Sequence, residues 1–145
     1  MLIGEIITNL EVESDNPIKE ACGGCQRCID ACPTKALIGP YQLDSNKCIS
    51  YLTIEHREAI PEAFKGQFNN WVFGCDICQE VCPWNWKSRP TNESEFEPHA
   101  DLLKLRRDDW HDMDEEQFRE LFSKSAVKRT KYSGLMRNLD FLKTQ

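Results

Sequence analysis

Apolar and polar positions change rhythm several times along the chain. Gly4-Glu5-Ile6-Ile7-Thr8 is a short β-prone run and predicts a strand. Leu37-Ile38 and Tyr41-Gln42-Leu43 flank Gly39-Pro40, which predicts two very short strands around a turn. Asp44-Ser45-Asn46 is a helix-starting cluster, and Lys47 to Arg57 then reads as helix. Ile60-Pro61 breaks it. Pro61 suits a first helical position and predicts a further short helix, Glu62 to Phe68. Pro90, Pro98 and their polar neighbours make residues 87–98 a loop or linker. Asp112 and Glu115 stand at capping-box spacing. Phe118, Leu121 and Phe122 follow at helical intervals, so residues 113–122 read as an amphipathic helix. Leu135, Leu139 and Leu142 repeat that spacing in a last segment opened by Ser133.

The pattern is α+β but mainly helical. Its 145 residues suffice for one domain and its core. Hydrophobic residues make up 40% and charged residues 29%, an ordinary globular composition. Apolar runs are only a few residues long, so no transmembrane helix is expected. The opening MLIGEIITNL has neither a basic region nor a small-residue cleavage site. It predicts no secretory signal and a cytoplasmic protein whose thiols stay reduced. A net charge of −6 argues against bulk nucleic-acid binding. The charge is segregated, however. Glu93 to Glu120 holds eleven acids against four bases, whereas Ser123 to Lys143 holds six bases against Asp140 alone. Solvated helix faces account for such runs as readily as a binding surface does.

The cysteines add the chemistry. All eight lie between Cys22 and Cys82. Cys22, Cys25, Cys28 and Cys32 form C-x2-C-x2-C-x3-C, followed by Pro33. This is the spacing of bacterial two-cluster ferredoxins. Cys75, Cys78 and Cys82 repeat C-x2-C-x3-C, followed by Pro83, and lack one ligand that only Cys48 remains to supply. The first three thiolates wrap one cubane, with Gly23 and Gly24 easing the tight turns. The fourth points away and ligates the other cluster. Hence Cys22, Cys25, Cys28 and Cys82 are assigned to one 4Fe–4S cluster. Cys32, Cys48, Cys75 and Cys78 are assigned to the second. Residues 22–86 are then a two-4Fe–4S ferredoxin-like core, and 87–145 a linker with a helical C-terminal tail.

Competing chemistries fit less well. Structural zinc suits two C-x2-C pairs, but it has no need of the third cysteine or of the repeated x3-C-P ending. A disulfide framework needs an oxidising compartment. Thiol catalysis needs an isolated cysteine beside a base. His56, His99 and His111 form no metal-spaced pair, and no glycine-rich phosphate loop is present. Trp84 and Trp86 follow Cys82-Pro83 closely and are expected to cover the clusters and exclude water.

The words between the cysteines are distinctive. Cys48-Ile-Ser-Tyr-Leu-Thr-Ile-Glu-His56, Ile60-Pro61 and Phe73-Gly-Cys-Asp-Ile-Cys-Gln-Glu-Val-Cys-Pro-Trp-Asn85 closely resemble the C-terminal half of epoxyqueuosine reductases. Gly4-Glu5-Ile6 and Lys128-Arg-Thr-Lys-Tyr-Ser-Gly-Leu-Met-Arg-Asn138 fit the same family. The resemblance implies an oxidoreductase of tRNA queuosine biosynthesis. Two 4Fe–4S clusters would deliver electrons, from an external donor, to a cobalamin that reduces epoxyqueuosine to queuosine in tRNA. It also implies that most of the cobalamin pocket and a catalytic acid belong to a preceding half absent from these residues, or carried on a separate chain. Residues 1–21 would be a remnant of that domain, and this chain alone would not turn over.

On the same resemblance the cobalamin lies against Ser50, Gly74 and Asp76. His56, Arg57, Lys128, Arg129, Lys131 and Arg137 are the candidate contacts to tRNA carrying epoxyqueuosine, with salt-dependent affinity. No membrane partner is expected. The alternative is a free-standing two-cluster ferredoxin-like electron carrier, which would have no use for the basic tail.

Overall fold

The computed structural model of the protein describes residues 4–143. Short turns dictate where its elements begin. The Cys25 amide donates to the Cys22 carbonyl at 3.1 Å. Gly23, inside that turn, takes a left-handed φ of +52°, which costs glycine little. Helix α1 (Arg27–Ala31) follows. Strands β1 (Leu37–Gly39) and β2 (Gln42–Leu43) form the predicted antiparallel hairpin, with Leu37 opposite Leu43. The Asp44 carboxylate then accepts the Asn46 amide at 3.2 Å and starts a 3-10 turn, Ser45–Lys47, that leads into α2 (Ile49–Ile54). Helix α3 (Ile77–Glu80) begins where the Asp76 carbonyl accepts the Gln79 and Glu80 amides at 2.8 and 2.9 Å.

Several predicted boundaries move, each for a local reason. Helix α2 stops short of Arg57, because the Arg137 guanidinium takes the Leu52, His56 and Glu58 carbonyls at 2.9, 2.5 and 2.9 Å. The predicted helix Glu62 to Phe68 is a single 3-10 turn, Glu62–Phe64, since Gly66 at φ +76° turns the chain away. The run Gly4–Thr8 forms no strand. It finds no neighbour to share a ladder among the described residues, and Ile6 and Ile7 are 91% and 100% exposed.

The C-terminal half holds three helices. Helix α4 (Arg107–Asp112) was not legible from periodicity, and the Asp109 carboxylate accepts the Arg106 amide at its start at 2.7 Å. Helix α5 (Glu115–Phe122) is capped by Asp114 rather than Asp112. Asp114 accepts the Gln117 amide at 2.8 Å, and the Gln117 side chain accepts the Asp114 amide at 3.0 Å. Helix α6 (Lys131–Lys143) starts at Lys131 rather than at Ser133.

Helix α6 is the common wall of two apolar clusters. Phe141 joins Ile49, Leu52, Ile60 and Phe68, and the Phe68 and Phe141 rings lie 4.9 Å apart. Leu135 and Leu139 join Met113, Phe118 and Phe122. The tail is therefore packed back onto the cysteine-bearing half, and truncating either phenylalanine of the first cluster should cost about 3–5 kcal/mol. The molecule is mainly helical with a single two-stranded sheet among the described residues. None of the described helices is long and apolar enough to cross a membrane.

Candidate functional site

Helices α1 and α3 carry the two cysteine blocks and pack against one another. Cys28 lies within α1, and Cys78 within α3. Cys48 precedes α2, whose Ile49 and Leu52 belong to the apolar cluster against which Cys75 packs. Burial pushes the Cys75 and Cys78 thiols up, and the charges of Cys32 and Cys48 push both further the same way. Cys32, Cys48, Cys75 and Cys78 therefore share one neighbourhood, although they are drawn from both blocks. All four are half-buried, whereas Cys22 and Cys25 are exposed. Among the described residues no three Cys, His, Asp or Glu side chains close on a single metal ion.

Cys32 has its own surroundings. Burial alone would raise its thiol, but the Leu37 and Ala36 amides and the Thr34 hydroxyl outweigh that and hold it below its ordinary value. The Ala36 amide donates to Cys32 Sγ at 3.2 Å, and Thr34 Oγ1 lies 3.8 Å from it. Donors aimed at a cysteine sulfur suit a thiolate that ligates iron. The eight thiols, free of disulfides, are the donor set that two iron–sulfur clusters require.

A buried polar junction lies behind the second block. Thr53, fully buried in α2, donates its hydroxyl to the Ile49 carbonyl at 2.7 Å, with the Ser50 carbonyl at 3.3 Å. The same hydroxyl accepts the Gly74 amide at 3.0 Å. The Thr53 carbonyl accepts Thr130 Oγ1 at 3.0 Å and Asn138 Nδ2 at 2.8 Å. Asn138 Nδ2 also reaches the Val72 carbonyl at 2.9 Å. Ser50 and Gly74 are thereby brought together, with Asp76 exposed just beyond Cys75. Gly74 takes a φ of +73°, and a Cβ there would meet nothing within 4 Å, so the surface in front of it is open. Sequence reasoning passed over Thr53, Thr130 and Asn138. Only the quoted words that contain them carried any signal.

The basic candidates divide into two groups. His56, Arg57, Lys131 and Arg137 line one cleft of about 560 Å³. Lys128 and Arg129 are not among its lining residues. Arg57 donates to the Thr130 and Arg129 carbonyls at 3.3 and 3.1 Å. Arg129 grips the Glu55 carboxylate with two nitrogens, the second at 3.0 Å. Lys128 Nζ donates to the Ser123 carbonyl at 3.2 Å. Arg137 is half-buried, and burial lowers its pKa from the ordinary value, helped by the neighbouring Arg57 charge. Its guanidinium is committed to three carbonyls of the α2 exit and to Asn138 Oδ1, while the residue still lines the cleft.

Trp84 and Trp86 remain 67% and 64% exposed. Trp84 Nε1 donates to the Ala21 carbonyl at 3.3 Å, and the Arg27 guanidinium lies over the Trp86 ring at 4.9 Å. They brace the chain just before Cys22 and, at Arg27, within the first cysteine block.

Comparison with known proteins agrees with this geometry. Residues 21–85 match the family model described as a 4Fe-4S double cluster binding domain. The epoxyqueuosine reductase of Cellulophaga algicola is 54% identical over 141 residues, 97% of this chain and 46% of the relative. That of Synechocystis is 42% identical, covering 95% of this chain and 48% of the relative. The chain thus spans about half the length of these curated relatives. Among solved structures, epoxyqueuosine reductase from Bacillus subtilis superposes with a TM-score of 0.81 at 34% identity, over 90% of this chain and 35% of that one. An epoxyqueuosine reductase crystallised with an epoxyqueuosine-modified tyrosine tRNA stem loop gives 0.80 at 34% identity, over 90% of this chain and 34% of that one.

Proposed function

Because the chain belongs to the epoxyqueuosine reductase family, we propose that it is the electron-transfer part of such an enzyme. Its ferredoxin-like core takes electrons from an external donor through two 4Fe–4S clusters. The observation that carries this reading is the packing of α1 against α3 and of Cys75 against the cluster of Ile49 and Leu52, which brings together the stretches of Cys32, Cys48, Cys75 and Cys78, with donors already aimed at Cys32. Those four residues would hold the second cluster, and Cys22, Cys25, Cys28 and Cys82 the first. Eight free thiols suit a reducing compartment such as the cytoplasm.

A cobalamin, when bound, supplies the centre that reduces epoxyqueuosine to queuosine in tRNA. Ser50, Gly74 and Asp76 would form one wall for it, beside the second cluster and across the open surface at Gly74. The remaining wall and the catalytic acid belong to the part of the relatives that this chain does not span. His56, Arg57 and Lys131 would meet the tRNA backbone in the cleft, and Lys128, outside its lining, would add a further contact. Arg129 and Arg137 would hold those elements in place and add to the positive field.

The test is turnover of the anaerobically reconstituted chain with cobalamin, reductant and tRNA carrying epoxyqueuosine. The expected result is two clusters, no queuosine from the chain alone, and queuosine once the preceding half of a relative is supplied. Queuosine from the chain alone would overturn this division of labour.

A further inference from the structure

Thr53 links two regions that its position in α2 does not obviously connect. Its carbonyl receives Thr130 and Asn138 from the C-terminal segment. Its hydroxyl receives the amide of Gly74, the residue immediately before Cys75. None of its polar atoms faces solvent, since the residue is 0% exposed.

Two cysteines of the proposed second cluster already face backbone donors, Cys32 that of Ala36 and Cys75 that of Ile77. The Cys32 sulfur accepts the Ala36 amide at 3.2 Å. The Gly74 amide, which enters the Cys75 loop, is taken up by Thr53 at 3.0 Å. Hydrogen bonds to sulfur and solvent exposure set the potentials of such clusters. A donor released beside a cluster stabilises the extra negative charge of the reduced form and raises its potential.

We propose that Thr53 is a positioning residue that keeps the Gly74 amide away from the Cys75 side of the second cluster, and that Thr130 and Asn138 hold Thr53 in that pose. The C-terminal segment thereby sets the redox poise of one cluster, through Thr53 and without touching a thiol. This rests on the reading that Cys75 ligates a cluster.

The experiment is an EPR-monitored redox titration of the full chain, reconstituted anaerobically with iron and sulfide. Thr53→Val keeps the shape and removes the acceptor. One of the two midpoints should rise while the other stays. Thr53→Ser, which keeps the hydroxyl, should restore the parent value. Asn138→Ala should move the same midpoint in the same direction. Any other pattern in Thr53→Val overturns the proposal, including unchanged midpoints or a shift shared by both clusters. Where Thr53→Val does not take up two clusters, Asn138→Ala decides by the same criterion. A parent chain that holds no clusters fails differently, because it removes the functional reading along with the inference.

Discussion

Asn138 Nδ2 donates to the Thr53 carbonyl at 2.8 Å and to the Val72 carbonyl at 2.9 Å. One buried side chain of the last helix therefore ties α2, which follows Cys48, to the loop that carries Cys75. The Thr53 carbonyl is fully buried and the Val72 carbonyl partly so, and this amide satisfies both. Arg137 beside it closes the exit of α2, and Thr130 adds a second bond to Thr53. The C-terminal segment is part of the scaffold of the cysteine half.

Asn138→Ala should accordingly be costly. It leaves the Val72 carbonyl without this donor and the Thr53 carbonyl with Thr130 alone, and it opens a small void. The expected destabilisation is about 3 kcal/mol. Chemical denaturation of parent and variant under identical cluster loading measures it. A loss within a few tenths of a kcal/mol of zero would contradict the junction.

Gly134 packs against Thr130, and a Cβ there would run into the Thr130 hydroxyl. Gly134→Ala should cost about 1–3 kcal/mol by overpacking, despite the better helix propensity of alanine. In a Thr130→Ala background the same change should cost clearly less. Additive losses in that double-mutant cycle would show that the two residues do not press on one another.

The Glu55–Arg129 pair makes a pH-dependent latch between α2 and the 3-10 turn Ala126–Thr130. The Arg129 hydrogen bond, then the Arg129 and Arg57 charges, hold the Glu55 carboxyl below its ordinary 4.5. The unfolded chain protonates Glu55 at the ordinary value. The latch is thus fully present above that value and is lost as pH falls through the depressed one. Both side chains are solvent-facing, so the effect is local and modest. Amide exchange over residues 126–130 should be slower in the parent than in Glu55→Gln near neutral pH, and the gap should close in acid. A gap that is constant with pH would be evidence against the latch.

Much of the site was legible because ligand spacing is a local property. The two cysteine blocks, Gly39-Pro40 and the leucine rhythm of α6 all act over a few residues. The junction was not legible, because it pairs Thr53 with Gly74, Thr130 and Asn138 across long stretches of chain. Asn138 falls on the leucine face of α6, three residues after Leu135 and four before Leu142, but spacing shows neither that a polar side chain is buried there nor which carbonyls it meets. Gly4–Thr8 misled for a related reason: β-prone residues make a strand only where a neighbouring strand completes the ladder. Several acids preceding Phe118 could each have begun α5, and Asp114 prevailed because Gln117 answers it.

Lys131 offers the cleanest test of nucleic-acid contact, since it is exposed and lines the cleft beside Arg57. Lys131→Ala should weaken binding of a tRNA anticodon stem loop and lower the slope of log affinity against log salt by about 0.7–0.9, the loss of one phosphate contact. A free-standing carrier would bind such RNA weakly and show no change of slope.

The central claim is that eight cysteines hold two cubanes in crossed sets, with Cys48 completing the second. The most direct measurement is iron, sulfide and EPR analysis of the anaerobically reconstituted chain beside Cys48→Ala. The account predicts about eight irons and about eight sulfides in the parent. In Cys48→Ala one cluster should be altered and the other should keep its spectrum. A colourless, zinc-loaded parent, or a Cys48→Ala variant with both clusters unchanged, would contradict it.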